Sequence, residues 1–186
     1  MEENVYAPPK AMVADVRSPE SDPGVFFFPV SPTKLVVMST FTLGIYQIYW
    51  FYKQWVLIRQ RSEPLIIPWA RALFGFFWCY SCFEFIRNEE RTLDIEPSLP
   101  AGPLAIGWIA ASLASQLPQP YFLIGFLAPL LLVPVQRHIN HINAMVAPNH
   151  HENSRFSGWN WLAVVVGGIF LALIILGLTL KPVPHD

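Results

Sequence analysis

Uncharged apolar runs separated by short charged stretches set the plan of this chain. Residues 35–52 hold no Asp, Glu, Lys or Arg, and that many helical residues, at ~1.5 Å each, approach the ~30 Å of a hydrocarbon core. Ser31 fits a helix N-cap, and Pro32 fits the first helical position, where a missing N–H costs nothing. Thr40, Thr42 and Gly44 then interrupt the run. Glycine permits a break and threonine can bond back to a carbonyl one turn earlier, so a kink near Gly44 is expected. The stretch then either crosses fully or re-enters at Gly44, and the amphipathic segment that follows favours re-entry. Beyond the kink, Tyr46, Tyr49, Trp50 and Lys53 recur at i, i+3, i+4 and i+7, which puts rings and an ammonium on one helical face. With Trp55, Arg59 and Arg61, that face suits the headgroup level, where aromatic rings concentrate and long cationic side chains snorkel.

The later runs repeat the theme. Residues 69–86, bounded by Arg71 and Arg87, predict a second span. Glu84 lies one turn before Arg87, a spacing that fits an interfacial ion pair better than a proton-carrying membrane carboxylate. Residues 87–103 are polar, net acidic and rich in turn formers, as an external loop would be. No charge occurs from residue 97 to 136, and Pro118 and Pro120 divide this stretch into 104–117 and 120–135. These halves read as a hairpin of two spans or as a re-entrant pair. Residues 159–180 are uncharged, opened by Trp159 and Trp161 and closed by Lys181, which makes them the clearest span. Within it the Gly167-Gly168 pair offers a surface small enough for close helix contact.

The expected fold is therefore all-α, a polytopic transmembrane helical bundle of four to five membrane segments. Residues 1–24 form a Pro- and acid-rich disordered tail, 25–181 a single transmembrane helical domain and 182–186 a short C-tail. Phe26, Phe27 and Phe28 read as a hydrophobic anchor at the interface. Composition agrees: 53% of residues are hydrophobic and 13% charged, against about 25% charged in soluble domains. A net charge of −1 leaves no basic field for a nucleic acid backbone, so nucleic acid is excluded as a partner. Cys79 and Cys82 sit inside an apolar run, where small buried residues pack, and form no disulfide framework. No secretory signal is expected. The densest positive stretch, residues 53–71, is assigned to the cytoplasm. Simple alternation then puts residues 87–103 and the histidine-rich loop outside and the C-terminus in the cytoplasm.

The segment Thr42-Leu43-Gly44-Ile45-Tyr46-Gln47-Ile48-Tyr49-Trp50 resembles a group of small bacterial integral membrane proteins of unknown function that share a T-L-G-x-Y-x-x-Y-W stretch. The resemblance covers about residues 31–61. It implies a bacterial inner-membrane setting and carries no catalytic residues.

Candidate chemistry is sparse. Gln136, Asn140 and Asn143 fall at i, i+4 and i+7 and form one amide stripe if the helix continues past Val135. Such a stripe binds a polar ligand or, more commonly, hydrogen-bonds another helix. Four of the five histidines lie between residues 136 and 160, including His138, His141, His150 and His151, without the spacing of a recognised metal motif. No serine has a local His or Asp to activate it. No cofactor or metal is expected, and the partners expected are the lipid bilayer, other membrane proteins or a second copy. The leading expectation is a non-enzymatic scaffold or accessory membrane subunit. The alternatives are a small-solute or ion transporter or channel using the Gln/Asn stripe with Glu84, and a membrane-embedded metalloenzyme.

Overall fold

The computed structural model describes residues 24–62, 65–94, 96 and 98–180. The expectations for the N-tail before Gly24, for Glu63, for Lys181 and for the C-tail lie outside these residues. The described chain is helical, with no strand among its residues. Its elements are α1 (Pro32–Phe41), α2 (Ile45–Arg61), α3 (Pro68–Leu73), α4 (Gly75–Thr92), α5 (Ala101–Ala114), a 3-10 segment (Tyr121–Leu127) running straight into α6 (Ala128–Val146), and α7 (Gly158–Thr179).

The opening stretch breaks where glycine and threonine predict it. Ser31 caps α1 by accepting from the Lys34 N–H at 3.2 Å, with Pro32 at the first helical position. Ten residues later the helix stops, roughly 15 Å along and so about half of a hydrocarbon core. The stop is a Schellman motif, in which Gly44 N–H donates to the Ser39 carbonyl at 2.8 Å and Leu43 N–H to that of Thr40 at 3.1 Å. This geometry holds Leu43 at φ 52° and Gly44 at φ 91°. Thr42 joins the two helices: its Oγ1 donates to the Met38 carbonyl at 2.6 Å and accepts from the Tyr46 N–H at 2.9 Å, so one hydroxyl ends α1 and caps α2. Thr42→Val is expected to cost roughly 1–2 kcal/mol. Leu43→Gly removes a left-handed leucine worth about 1–2 kcal/mol of strain and should hold or raise the melting temperature. Thermal unfolding in detergent checks both.

α2 is the axis of the bundle rather than its rim. Tyr46, Gln47, Trp50, Phe51, Gln54, Trp55 and Ile58 make a continuous buried stripe along it. The stripe meets Cys79, Cys82, Phe83 and Ile86 of α4, Ala105 and Trp108 of α5, and Leu132, Val135, Ile139 and Ile142 of α6. The predicted outward aromatic belt is corrected here: Trp50 and Trp55 are fully buried and Tyr46 nearly so. Tyr49 stays exposed, and Lys53 lies with its Nζ 5.7 Å from the Phe28 ring centre. The rings concentrate on the face that packs, because large aromatic surfaces gain most from burial; Trp50 Nε1 is satisfied there by Gln136, while Trp55 Nε1 has no hydrogen-bond partner among the described residues.

Two further boundaries differ from expectation. The run over residues 69–86 is split at Phe74 into α3 and α4, and α4 continues to Thr92 through residues read as loop. It does so because its buried face continues past the charges: Cys79, Cys82, Phe83, Ile86 and Glu90 lie on one side. The division at Pro118 and Pro120 holds, with α5 ending at Ala114 and the next helical segment starting at Tyr121.

Contacts between helix ends show how the elements alternate in direction. Arg61, at the end of α2, is paired with Glu89 near the end of α4 at 2.8 Å, and its guanidinium covers the Phe26 ring at 3.3 Å. Residues 53–61 and 87–92 therefore meet at one end of the bundle, where alternation of loops had separated them. Lys34 reaches the same end from α1, donating at 2.8 Å each to Asn153 Oδ1 and the Arg155 carbonyl in the loop before α7. Burial pulls the Lys34 ammonium below the usual lysine range. α7 starts there and runs past Phe41 toward the opposite end. Among the described residues, two helical segments are long and apolar enough to cross a membrane, Tyr121–Val146 and Gly158–Thr179.

Candidate functional site

The amide stripe of α6 has a partner, and it is backbone. Residues 26–30 are non-helical and enter the bundle with Phe27, Phe28 and Val30 buried. Such a segment must have its peptide groups satisfied by protein. Phe26 and Phe27 N–H donate to Asn143 Oδ1 at 2.9 and 3.1 Å, and Asn143 Nδ2 returns a bond to the Phe27 carbonyl at 2.8 Å. One helical turn away, Asn140 Nδ2 donates to the Val30 carbonyl at 3.1 Å. Gln136 Nε2 donates to the Phe28 carbonyl at 3.3 Å and to Asn140 Oδ1 at 2.7 Å. From α2, Gln54 Oε1 accepts the Phe28 N–H at 3.0 Å. Pro29, between them, brings no N–H to satisfy. Gln136 Oε1 accepts from Trp50 Nε1 at 2.6 Å, which ties the clasp to the core. The phenylalanines thus pack inside the bundle, a correction to the interfacial anchor.

At the opposite end of α1 lies a cavity of about 460 Å³, enclosed by the α1–α2 turn, α3, the start of α4, the end of α5 and the 3-10 segment. Its walls carry the rings of Phe51, Phe76, Trp108, Phe122 and Phe126, with the polar side chains of Thr40, Ser112, Ser115 and Gln116 toward α1 and the end of α5. Gln47 Oε1 accepts from Trp108 Nε1 at 2.7 Å and fixes that ring as part of the wall. Ser39 contributes a buried Oγ that has no hydrogen-bond partner among the described residues. No lining residue is charged.

No family model, curated protein or solved structure matches this chain.

The remaining candidate residues are placed at the basic end or on the outer surface. Glu84 is paired with Arg87 at 2.6 Å, the ion pair that its i, i+3 spacing predicts. Arg59 is exposed, as are Trp159 and Trp161 at the start of α7. The histidines do not converge. His138 Nδ1 lies 2.5 Å from Glu90 Oε1, His150 Nδ1 lies 2.7 Å from the Ala147 carbonyl oxygen, and no group of three His, Cys, Asp or Glu forms among the described residues. Glu90 is the unexpected member: it is buried on α4, and His138 holds one of its oxygens while the other has no partner among the described residues. His138→Leu is expected to cost on the order of 2 kcal/mol, because it strands a buried carboxylate. Adding Glu90→Leu should restore most of that loss, and a double-mutant cycle of melting temperatures reads the coupling.

Gln47, Gln54, Ser39 and Glu90 were missed as site residues. Gln47 and Gln54 recur at i, i+7 on the stripe that carries Trp50 and Trp55, and that register marks them as interior amides.

Proposed function

We propose that this chain is a non-enzymatic integral membrane protein of the bacterial inner membrane, acting as a scaffold or accessory subunit. The observation that carries the reading is α7. It is apolar around its whole circumference, and among its residues Gly167 alone is buried, so its surface is matched to lipid or to another membrane helix. The resemblance of residues 42–50 to a bacterial membrane-protein segment supports the setting. The interior amides support a structural role, since Gln136, Asn140 and Asn143 are engaged by residues 26–30 and by one another and leave no open polar stripe. We assign the end carrying Arg59, Arg61, Arg91 and Arg155 to the cytoplasm by the excess of positive charge there. This keeps residues 53–61 cytoplasmic and moves the end of α7 to the periplasmic face, in place of the cytoplasmic C-terminus expected from loop alternation.

Alkaline extraction of membranes and cysteine labelling test the reading together. The chain should stay in the membrane pellet, and an impermeant maleimide applied to spheroplasts should label Thr179→Cys but reach Arg59→Cys only after lysis. Release into the supernatant overturns membrane insertion, and the reverse labelling overturns the orientation. Purified protein in liposomes should move no solute. Uptake that is lost in Asn140→Leu would overturn the scaffold in favour of a transporter.

A further inference from the structure

We infer that the cavity beneath the α1–α2 turn binds a single-chain lipidic amphiphile with an uncharged hydrogen-bonding head, such as a long-chain alcohol or ester. Its size lies in the ~300–1,000 Å³ range of small-molecule sites, and like them it combines apolar walls with a few placed polar groups. The head position is marked by Ser39. Ser39 is 1% exposed, its hydroxyl lacks a partner among the described residues, and it would be costly to bury unless a ligand or water completed it. Gln47 supplies a second group: its oxygen is committed to Trp108, and its Nε2 faces Gly44 beside the same turn. An uncharged head follows from the lining, which holds no cation to neutralise an acid and no carboxylate to hold an amine. A chain-like body follows from the rings of Phe51, Phe76, Trp108, Phe122 and Phe126.

The source follows from the mouth. Leu43, Ile48, Leu73 and Phe76 line the cavity and are each 42–57% exposed, so the side of its rim that they form is apolar, while the exposed Ser115 and Gln116 also line it. An occupant entering over the apolar side comes from the hydrocarbon phase rather than from water. In this respect the inference rests on the membrane reading above. The α1–α2 turn has a use in this arrangement, because ending α1 half-way across leaves the space in which the ligand lies.

Trp108 in the wall makes the test optical. The full chain in lipid nanodiscs is titrated with 9,10-dibromostearyl alcohol, and the fluorescence lost at Trp108 is read as the difference between the wild type and Trp108→Phe. Saturable quenching is expected, weakened about tenfold for 9,10-dibromostearic acid at neutral pH, about fivefold for Ser39→Ala, and abolished by Ser112→Trp, which fills the cavity from α5. Circular dichroism and melting temperature verify that each variant is folded, and Ser112→Leu replaces Ser112→Trp if the latter is not. Trp159 and Trp161, exposed on α7, are read separately with brominated phospholipid. Quenching there without saturable quenching at Trp108 overturns the cavity inference and leaves the membrane reading standing. Absence of quenching at Trp159 and Trp161 removes both. Equal quenching of wild type, Ser39→Ala and the cavity-filling variant would mean that the alcohol partitions non-specifically, and would also overturn the inference.

Discussion

Asn143→Leu is expected to release residues 24–30 from the bundle. The side chain is fully buried and makes three bonds to the backbone of Phe26 and Phe27. A leucine of similar volume fills the space but leaves two N–H groups and one carbonyl in an apolar surround, at about 1–3 kcal/mol each. The segment can avoid that cost only by leaving. Limited proteolysis should then cut between Gly24 and Ser31 at a rate raised at least tenfold, with a lower melting temperature. Asn143→Asp is the informative contrast, since a carboxylate still accepts from both N–H groups but sets its second oxygen against the Phe27 carbonyl, so its protease resistance should fall between the other two. Equal protease resistance of wild type and Asn143→Leu would show that the phenylalanine rings, rather than the amide, hold the segment.

Gly167→Leu is expected to separate α7 from α1. A Cβ at this position would sit 1.6 Å from the Phe41 carbonyl oxygen, which is backbone and cannot rotate away. The neighbouring Gly168→Ala is expected to be nearly silent, because its Cβ would lie 3.5 Å from the Phe41 ring, an ordinary contact. The two substitutions test the same crossing one residue apart. The melting temperature in detergent should fall by several degrees in Gly167→Leu and hold in Gly168→Ala. An unchanged melting temperature in Gly167→Leu would place the docking of α7 elsewhere.

What could be read from residue order was the part of the fold decided within a few residues. Ser31 and Pro32 start α1 through a bond to an amide three residues on, and Thr42 and Gly44 end it through bonds spanning four and five. Pro118 and Pro120 bound a turn by what proline does to its own backbone. The helix over Gly167 is recognisable because its apolar run is unbroken. The parts that were not legible depend on a partner far along the chain. Tryptophans and cations look alike whether a helix lies at a headgroup or threads a bundle, and the burial of Trp50 follows from Gln136, 86 residues away. Charges at Arg87 and Glu89 mark a helix end or an exposed turn equally well, and Glu90 shows which only when His138 is set beside it, 48 residues on. The amide stripe was visible as a stripe, but its ligand carries no side-chain signature, because the groups recognised are peptide N–H and C=O.

That clasp also orders biogenesis. The groups it holds are at residues 26–30, and the Asn143 that holds them is 116 or 117 residues later. At about 5–20 residues per second of synthesis, Phe26 and Phe27 wait roughly 6–23 s before Asn143 exists. Throughout that interval the segment's unpaired peptide groups exclude it from hydrocarbon, so it must stay at the aqueous face or with a chaperone while α1 to α5 are already assembling. Seating of the N-terminal segment is then a late step of assembly, and a nascent chain stalled before Gln136 should present residues 24–30 to protease even when its earlier helices are in place.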